Sequence, residues 1–158
     1  MNIKQASLVL MLPICALFNS MVVNASSIEF SPAAFESLKQ RNLGQKWLIL
    51  LWSVDCPPCF KELALIQKLS EEQEGLPVVV INADADDETS DEQVEVTKRF
   101  KLNQFPRFHF ADGTATQNRY IIDNTWYGEL PRSYFIDAKG QFHGRSGLVN
   151  EQLLRTWL

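Results

Sequence analysis

Lys46-Trp47-Leu48-Ile49-Leu50-Leu51-Trp52-Ser53-Val54-Asp55-Cys56-Pro57-Pro58-Cys59 is the stretch on which the fold turns. Residues 46–54 form a continuous apolar run of strand length, which predicts a buried strand. Beyond the cysteines, Leu63, Leu65, Ile66 and Leu69 recur at helical spacing. They predict a helix over about 58–73, with Gly75 placed to end it. A strand that feeds a helix through Cys-Pro-Pro-Cys sets its first sulfur at a helix N-terminus. Unpaired N–H groups and the helix dipole favour a thiolate there.

Working outward, Leu76-Pro77-Val78-Val79-Val80-Ile81 predicts a second buried strand, continuous rather than alternating, as in a sheet covered on both faces. Upstream, Ser31-Pro32 is a helix start, a capping hydroxyl followed by proline, with Phe35 and Leu38 on the apolar side. Residues 84–95 carry seven acids, including Asp84, Asp86 and Asp87. They predict a solvated helix start in which Ser90 and Gln93 form a capping box, the helix running to Leu102. Arg107-Phe108-His109-Phe110 predicts a short strand, and residues 114–128 carry no clear signal. Ser133–Asp137 and Gln141–His143 flank Ala138-Lys139-Gly140 as a hairpin, and Asn150 caps a last helix bearing Leu153, Leu154 and Trp157. The order implies an α/β domain with a mixed sheet.

The chain has 158 residues, 46% of them apolar, and a formal charge of −4, with no basic stripe. One domain is expected, and nucleic-acid binding lacks an electrostatic footprint. Residues 1–25 predict a cleaved export signal. Lys4 precedes an apolar run from Leu8 to Phe18, and Val23-Asn24-Ala25 ends in the small residue that a signal peptidase requires. The run is interrupted by Asn19 and Ser20, short of the ~20 residues of a membrane span. Cleavage after Ala25 removes Cys15 and all three methionines, leaving residues 26–158 with one cysteine pair. An exported chain with paired cysteines is expected in an oxidising compartment such as the periplasm.

The Cys56/Cys59 pair has three readings. As a staple it contributes little, because closing a loop of four residues stabilises by roughly 2 kcal/mol against ~3 for fifteen. As a zinc site it needs four ligands, and only His109 and His143 are available to join it. Copper is disfavoured because residues 26–158 hold no methionine thioether. Redox exchange fits the spacing best.

Trp52-Ser53-Val54-Asp55-Cys56-Pro57-Pro58-Cys59-Phe60-Lys61-Glu62 resembles the active-site segment of thioredoxin-fold proteins, particularly the exported TlpA/ResA-type thiol–disulfide oxidoreductases. Leu130-Pro131 followed by Tyr134–Gly140 resembles their second signature, a cis-proline ahead of a strand and hairpin. The resemblance spans about residues 28–158. It implies a single thioredoxin-like domain, a central mixed sheet flanked by helices, with no bound cofactor and no metal. It also implies protein disulfide clients and a membrane-bound thiol reductant. By the same resemblance Cys56 is the attacking thiolate, Cys59 the resolving thiol and Glu62 a proton relay. Trp52, Leu130 and Pro131 border the substrate, Trp52 chiefly by packing; His109 and His143 have no catalytic task.

Two residues depart from the family pattern. Asp55 stands where tryptophan is common and sets a negative charge beside Cys56; Arg132 stands where threonine is usual after the cis-proline. Pro57 and Pro58 withdraw two N–H donors, and no histidine lies between the cysteines. The charge and the missing donors disfavour a thiolate and predict a reductant. An oxidase or isomerase, or a non-catalytic adaptor or metal chaperone, are the alternative readings.

Overall fold

A computed structural model describes residues 26–158; the export-signal expectation and Cys15 lie outside the described residues. Six strands form one mixed sheet: β1 (Ile28–Glu29), β2 (Trp47–Trp52), β3 (Val78–Asn82), β4 (Arg107–His109), β5 (Arg132–Ile136) and β6 (Phe142–Ser146). Their spatial order is β1-β4-β3-β2-β5-β6. The first four run parallel as neighbours, while β5 is antiparallel to both β2 and β6. The helices are α1 (Pro32–Arg41), α2 (Pro57–Glu72), α3 (Ser90–Arg99), α4 (Ala115–Ile122) and α5 (Glu151–Trp157).

Strand β2 lies at the centre and explains the layers. All six of its side chains are buried, and their period of two divides them between two cores. Leu48, Leu50 and Trp52 join α2, α3 and α5 on one face. Trp47, Ile49 and Leu51 join α1 and α4 on the other. A strand apolar at every position is what a doubly covered sheet requires.

The caps follow the sequence closely. Ser31 Oγ accepts from the Ala34 amide at 3.2 Å with Pro32 at the first helical position. Asn150 Oδ1 accepts from the Leu153 amide at 2.8 Å. Helix α3 departs from expectation at both ends. Thr89, not Ser90, is its N-cap, and Gln93 Nε2 donates to Thr89 Oγ1 at 2.9 Å in place of the expected box. Its far end is Arg99 rather than Leu102, because Lys101 turns left-handed (φ 52°) and starts a 3-10 turn over Leu102–Gln104. That turn buries Phe100, stacked on Phe60 of α2, together with Leu102. The unassigned stretch contains α4, which buries Asn118 and Ile122.

Candidate active site

The connection from β2 to α2 is built by local hydrogen bonds. The Ala83 amide donates to the Trp52 carbonyl at 2.8 Å, fixing the strand end against β3. The Val54 amide donates to Asp84 Oδ2 at 2.9 Å, and the same oxygen accepts from Asn82 Nδ2 at 2.8 Å. Asp84 is therefore half-buried and pins the dithiol turn; it is no part of a solvated helix start. The Asp55 amide donates to Ser53 Oγ, and the Cys56 amide to the Ser53 carbonyl, completing a tight turn.

Cys56 is the N-cap of α2, with Pro57 and Pro58 in the first turn. Proline has no N–H to offer, so the first available donor is the Cys59 amide, which points at Cys56 Sγ at 3.2 Å. The two sulfurs form a disulfide with Cα atoms 5.3 Å apart. Cys56 keeps 7% of its surface exposed and Cys59 only 1%, so of the two sulfurs Cys56 is the one at the rim. Pro57, Pro58 and Asp55 surround it in solvent. Trp52 is buried in the same core cluster as both cysteines.

The Leu130–Pro131 bond is cis. Arg132 pairs with Leu51 in the β2–β5 ladder, so Pro131 lies alongside Trp52, where β2 gives way to the dithiol turn. Its carbonyl accepts from the Gly147 amide at 2.9 Å, which binds the far side of the loop to the end of β6. Leu130 is half-buried and touches both cores.

Glu62 sits one helical turn beyond Cys59 and is 3% exposed. The Val149 amide donates to Oε1 at 2.6 Å and Ser133 Oγ donates to Oε2 at 3.3 Å. Burial pushes its carboxyl up from an ordinary 4.5 to about 7, against the pull of these two neutral donors. A group balanced there exchanges protons readily near neutral pH.

Structure thus gathers Cys56, Cys59, Trp52, Leu130, Pro131 and Glu62 at the carboxyl end of the central strands. It separates the histidines: His109 is on β4 and His143 on β6, with β3, β2 and β5 between them. They do not converge on the sulfurs. Sequence reasoning missed Asp84, Ser133 and Val149. Only Ser133 left a signal, a hydroxyl directly ahead of the apolar run Tyr134-Phe135-Ile136 of β5.

No protein-family model matches the chain. It is 26% identical over 125 residues, 77% of this chain and 72% of the relative, to sporulation thiol-disulfide oxidoreductase A of Bacillus subtilis. Among solved structures it resembles the thioredoxin-related protein of Neisseria meningitidis serogroup B (TM-score 0.58, 26% identity, 75% of this chain and 85% of that one). It also resembles Bacillus subtilis StoA (TM-score 0.53, 24% identity, 73% and 84%). A third neighbour is a secreted Mycobacterium tuberculosis disulfide oxidoreductase homologous to E. coli DsbE (TM-score 0.56, 18% identity, 73% and 82%).

Proposed function

We propose that this chain, a thioredoxin-superfamily thiol–disulfide oxidoreductase, is exported to the periplasm and reduces disulfides in client proteins. The observation that carries the reading is the pairing of a rim sulfur, Cys56, with a sealed one, Cys59, on a single helix N-terminus beside a cis-proline. In the reduced form the Cys56 thiolate attacks a client disulfide, forming a mixed disulfide and releasing one client thiolate. Cys59 then loses its proton and attacks Cys56 Sγ. The second client thiolate departs and the Cys56–Cys59 bond closes, so two electrons pass to the client. Glu62 is the inward-facing carboxyl one turn from Cys59 and takes up that proton in its ionised form.

The Leu130 backbone offers pairing groups to an extended client segment, and Pro131, lacking an N–H, competes for none of them. Asp55 beside the rim sulfur and the two prolines leave the thiolate with little support. That tilts the couple toward giving electrons away. A dithiol spent in an oxidising compartment needs recharging, which supports a membrane-bound thiol donor as its partner. Among the described residues no helix is long and apolar enough to cross a membrane. The leader-like pattern of residues 1–25 supports export with cleavage after Ala25.

Reduction of insulin, with dithiothreitol to recharge the pair, tests the function. The protein accelerates insulin precipitation and Cys56→Ser returns it to the uncatalysed rate. Cys59→Ala traps clients as mixed disulfides through Cys56, identified by mass spectrometry. An intact pair that leaves insulin untouched, or a potential near the ~−120 mV of DsbA, overturns the reductant.

A further inference from the structure

The face of β5 turned away from the dithiol holds a polar assembly that the redox chemistry does not use. Arg132, the first residue after the cis-proline, lies with its side chain only 12% exposed. Nη2 donates to Asp123 Oδ2 at 2.8 Å; Nη1 donates to Ser146 Oγ at 2.7 Å and to Glu129 Oε1 at 3.3 Å. The guanidinium rests 4.7 Å from the centre of the Tyr134 ring, and the Tyr134 hydroxyl donates to the same Asp123 oxygen. Asp123 follows α4 directly, and Glu129 stands two residues before Pro131. One side chain thus clasps both ends of the loop that delivers the cis-proline.

Two further observations bear on this clasp, one showing the space left for it and the other what it costs. A Cβ on Gly144, which pairs with Tyr134 across the β5–β6 ladder, would overlap Arg132 Nη2. Arg132 Nε is buried and has no hydrogen-bond partner among the described residues. A buried ion pair is poor evidence of stabilisation, and an unpaired buried N–H opposes it. What the arrangement secures is position. Between the clasped ends Trp126 is buried, its indole N–H donating to the Glu129 carbonyl at 2.9 Å, while Tyr127 stands 94% exposed. Ser146 and Gly147 bring the end of β6 into the same assembly, through Glu129 and through the Pro131 carbonyl.

We propose that Arg132 is a positioning residue which holds residues 123–131 as a pre-ordered ledge for an extended client segment beside the dithiol. The inference rests on the oxidoreductase reading above. A ledge ordered in advance spares the client the entropic cost of ordering it on binding, so its loss falls on KM. Chemistry at the sulfurs, on the opposite face of β5, is left alone.

Two variants test this by different routes. Arg132→Lys keeps the charge and loses the fork that spans three acceptors. Gly144→Ala keeps every charge and displaces the guanidinium, because its Cβ meets Arg132 Nη2 at an exposed position of the edge strand β6. Each raises KM for insulin by about tenfold, equivalent to about 1.4 kcal/mol, with kcat within about twofold and the dithiol potential equal to the parent's. An unchanged KM in both variants, a fall in kcat alone, or a displaced potential overturns the inference. Failure of the parent itself to reduce insulin would instead sink the function on which it rests.

Discussion

Strand β5 presents a carboxylate with opposite circumstances on its two faces. Toward α2, Ser133 donates to Glu62; toward α4, Arg132 and Tyr134 donate to Asp123. Burial raises the cost of charge at both. Glu62 has only an amide and a hydroxyl to offset it and is pushed up to about 7. At Asp123 burial is outweighed by donors from Thr125, Tyr134 and the Arg132 guanidinium, which hold it below the usual carboxylate range. Deep burial against only two donors leaves Glu62 able to change its charge, whereas Asp123, nearer the surface and held by the Thr125 donors, Tyr134 and Arg132, keeps its charge fixed. The dithiol face therefore holds an acid that can gain and lose a proton near neutral pH, and the far face holds a fixed charge.

Replacing Glu62 gives the largest effect on this contrast. The folded protein holds a proton on Glu62 that the unfolded chain releases between about pH 4.5 and 7. Its stabilising contribution is complete below the lower value and lost as pH rises through the upper one. A carboxyl raised from 4.5 to about 7 carries on the order of 3 kcal/mol. Glu62→Gln keeps an acceptor for Val149 and a polar contact to Ser133, and it removes the titration. Urea unfolding of parent and variant at pH 4.5, 6 and 8 isolates the term, with the variant gaining on the parent as pH rises. Parallel curves would mean that the carboxyl is charged throughout and the contrast false.

Asp123→Ala breaks the other side. Removing one partner of a fully buried pair costs about 3–5 kcal/mol. Asp123 keeps 20% of its side chain exposed and Glu129 still faces Arg132, so about 2 kcal/mol is expected. Because the Asp123 carboxyl is held low, its contribution is present at all pH values above the ordinary carboxylate range. It is lost only as pH falls through that depressed value. Unfolding midpoints at pH 6 and 8 should thus differ from the parent's by the same amount. A loss that grows between them contradicts a fixed charge.

The same division separates what the sequence revealed from what it withheld. The dithiol turn, its flanking strand and helix, the Ser31 and Asn150 caps and the β5–β6 hairpin are local patterns, each complete within one short span of chain. Glu62 was readable as a candidate because it lies one turn from Cys59 and matches the acidic residue of the family that the segment resembles. Its partners were not: Ser133 is 71 positions away and Val149 is 87. Asp84 was hidden differently, merged with the acidic run after it although its carboxylate reaches back 30 residues to Val54. The larger apolar residues of helix α4, Tyr120, Ile121 and Ile122, are consecutive at its end and no side-chain hydrogen bond caps its start, so residues 115–122 gave neither periodicity nor a start signal. Arg132 stood out only as a departure from a family pattern; its clasp depends on the space at Gly144, which only the paired strands bring together.

Asp55 supplies a third setting, a carboxylate in water, and the smallest effect. It is exposed and directly precedes Cys56. At 4–8 Å in bulk dielectric, repulsion between it and a Cys56 thiolate is about 0.5–1 kcal/mol. That converts to roughly 10–20 mV for a two-electron couple, with physiological salt trimming it further. The charge disfavours the reduced, thiolate-bearing form, so Asp55→Asn makes the protein a slightly weaker reductant. Equilibration against glutathione at pH 7 resolves the shift, and raising the ionic strength should shrink it in the parent. A displacement well beyond 20 mV would show that the turn shields Asp55 from solvent more than its exposure indicates, and a shift toward stronger reduction would remove it from among the residues that set the potential.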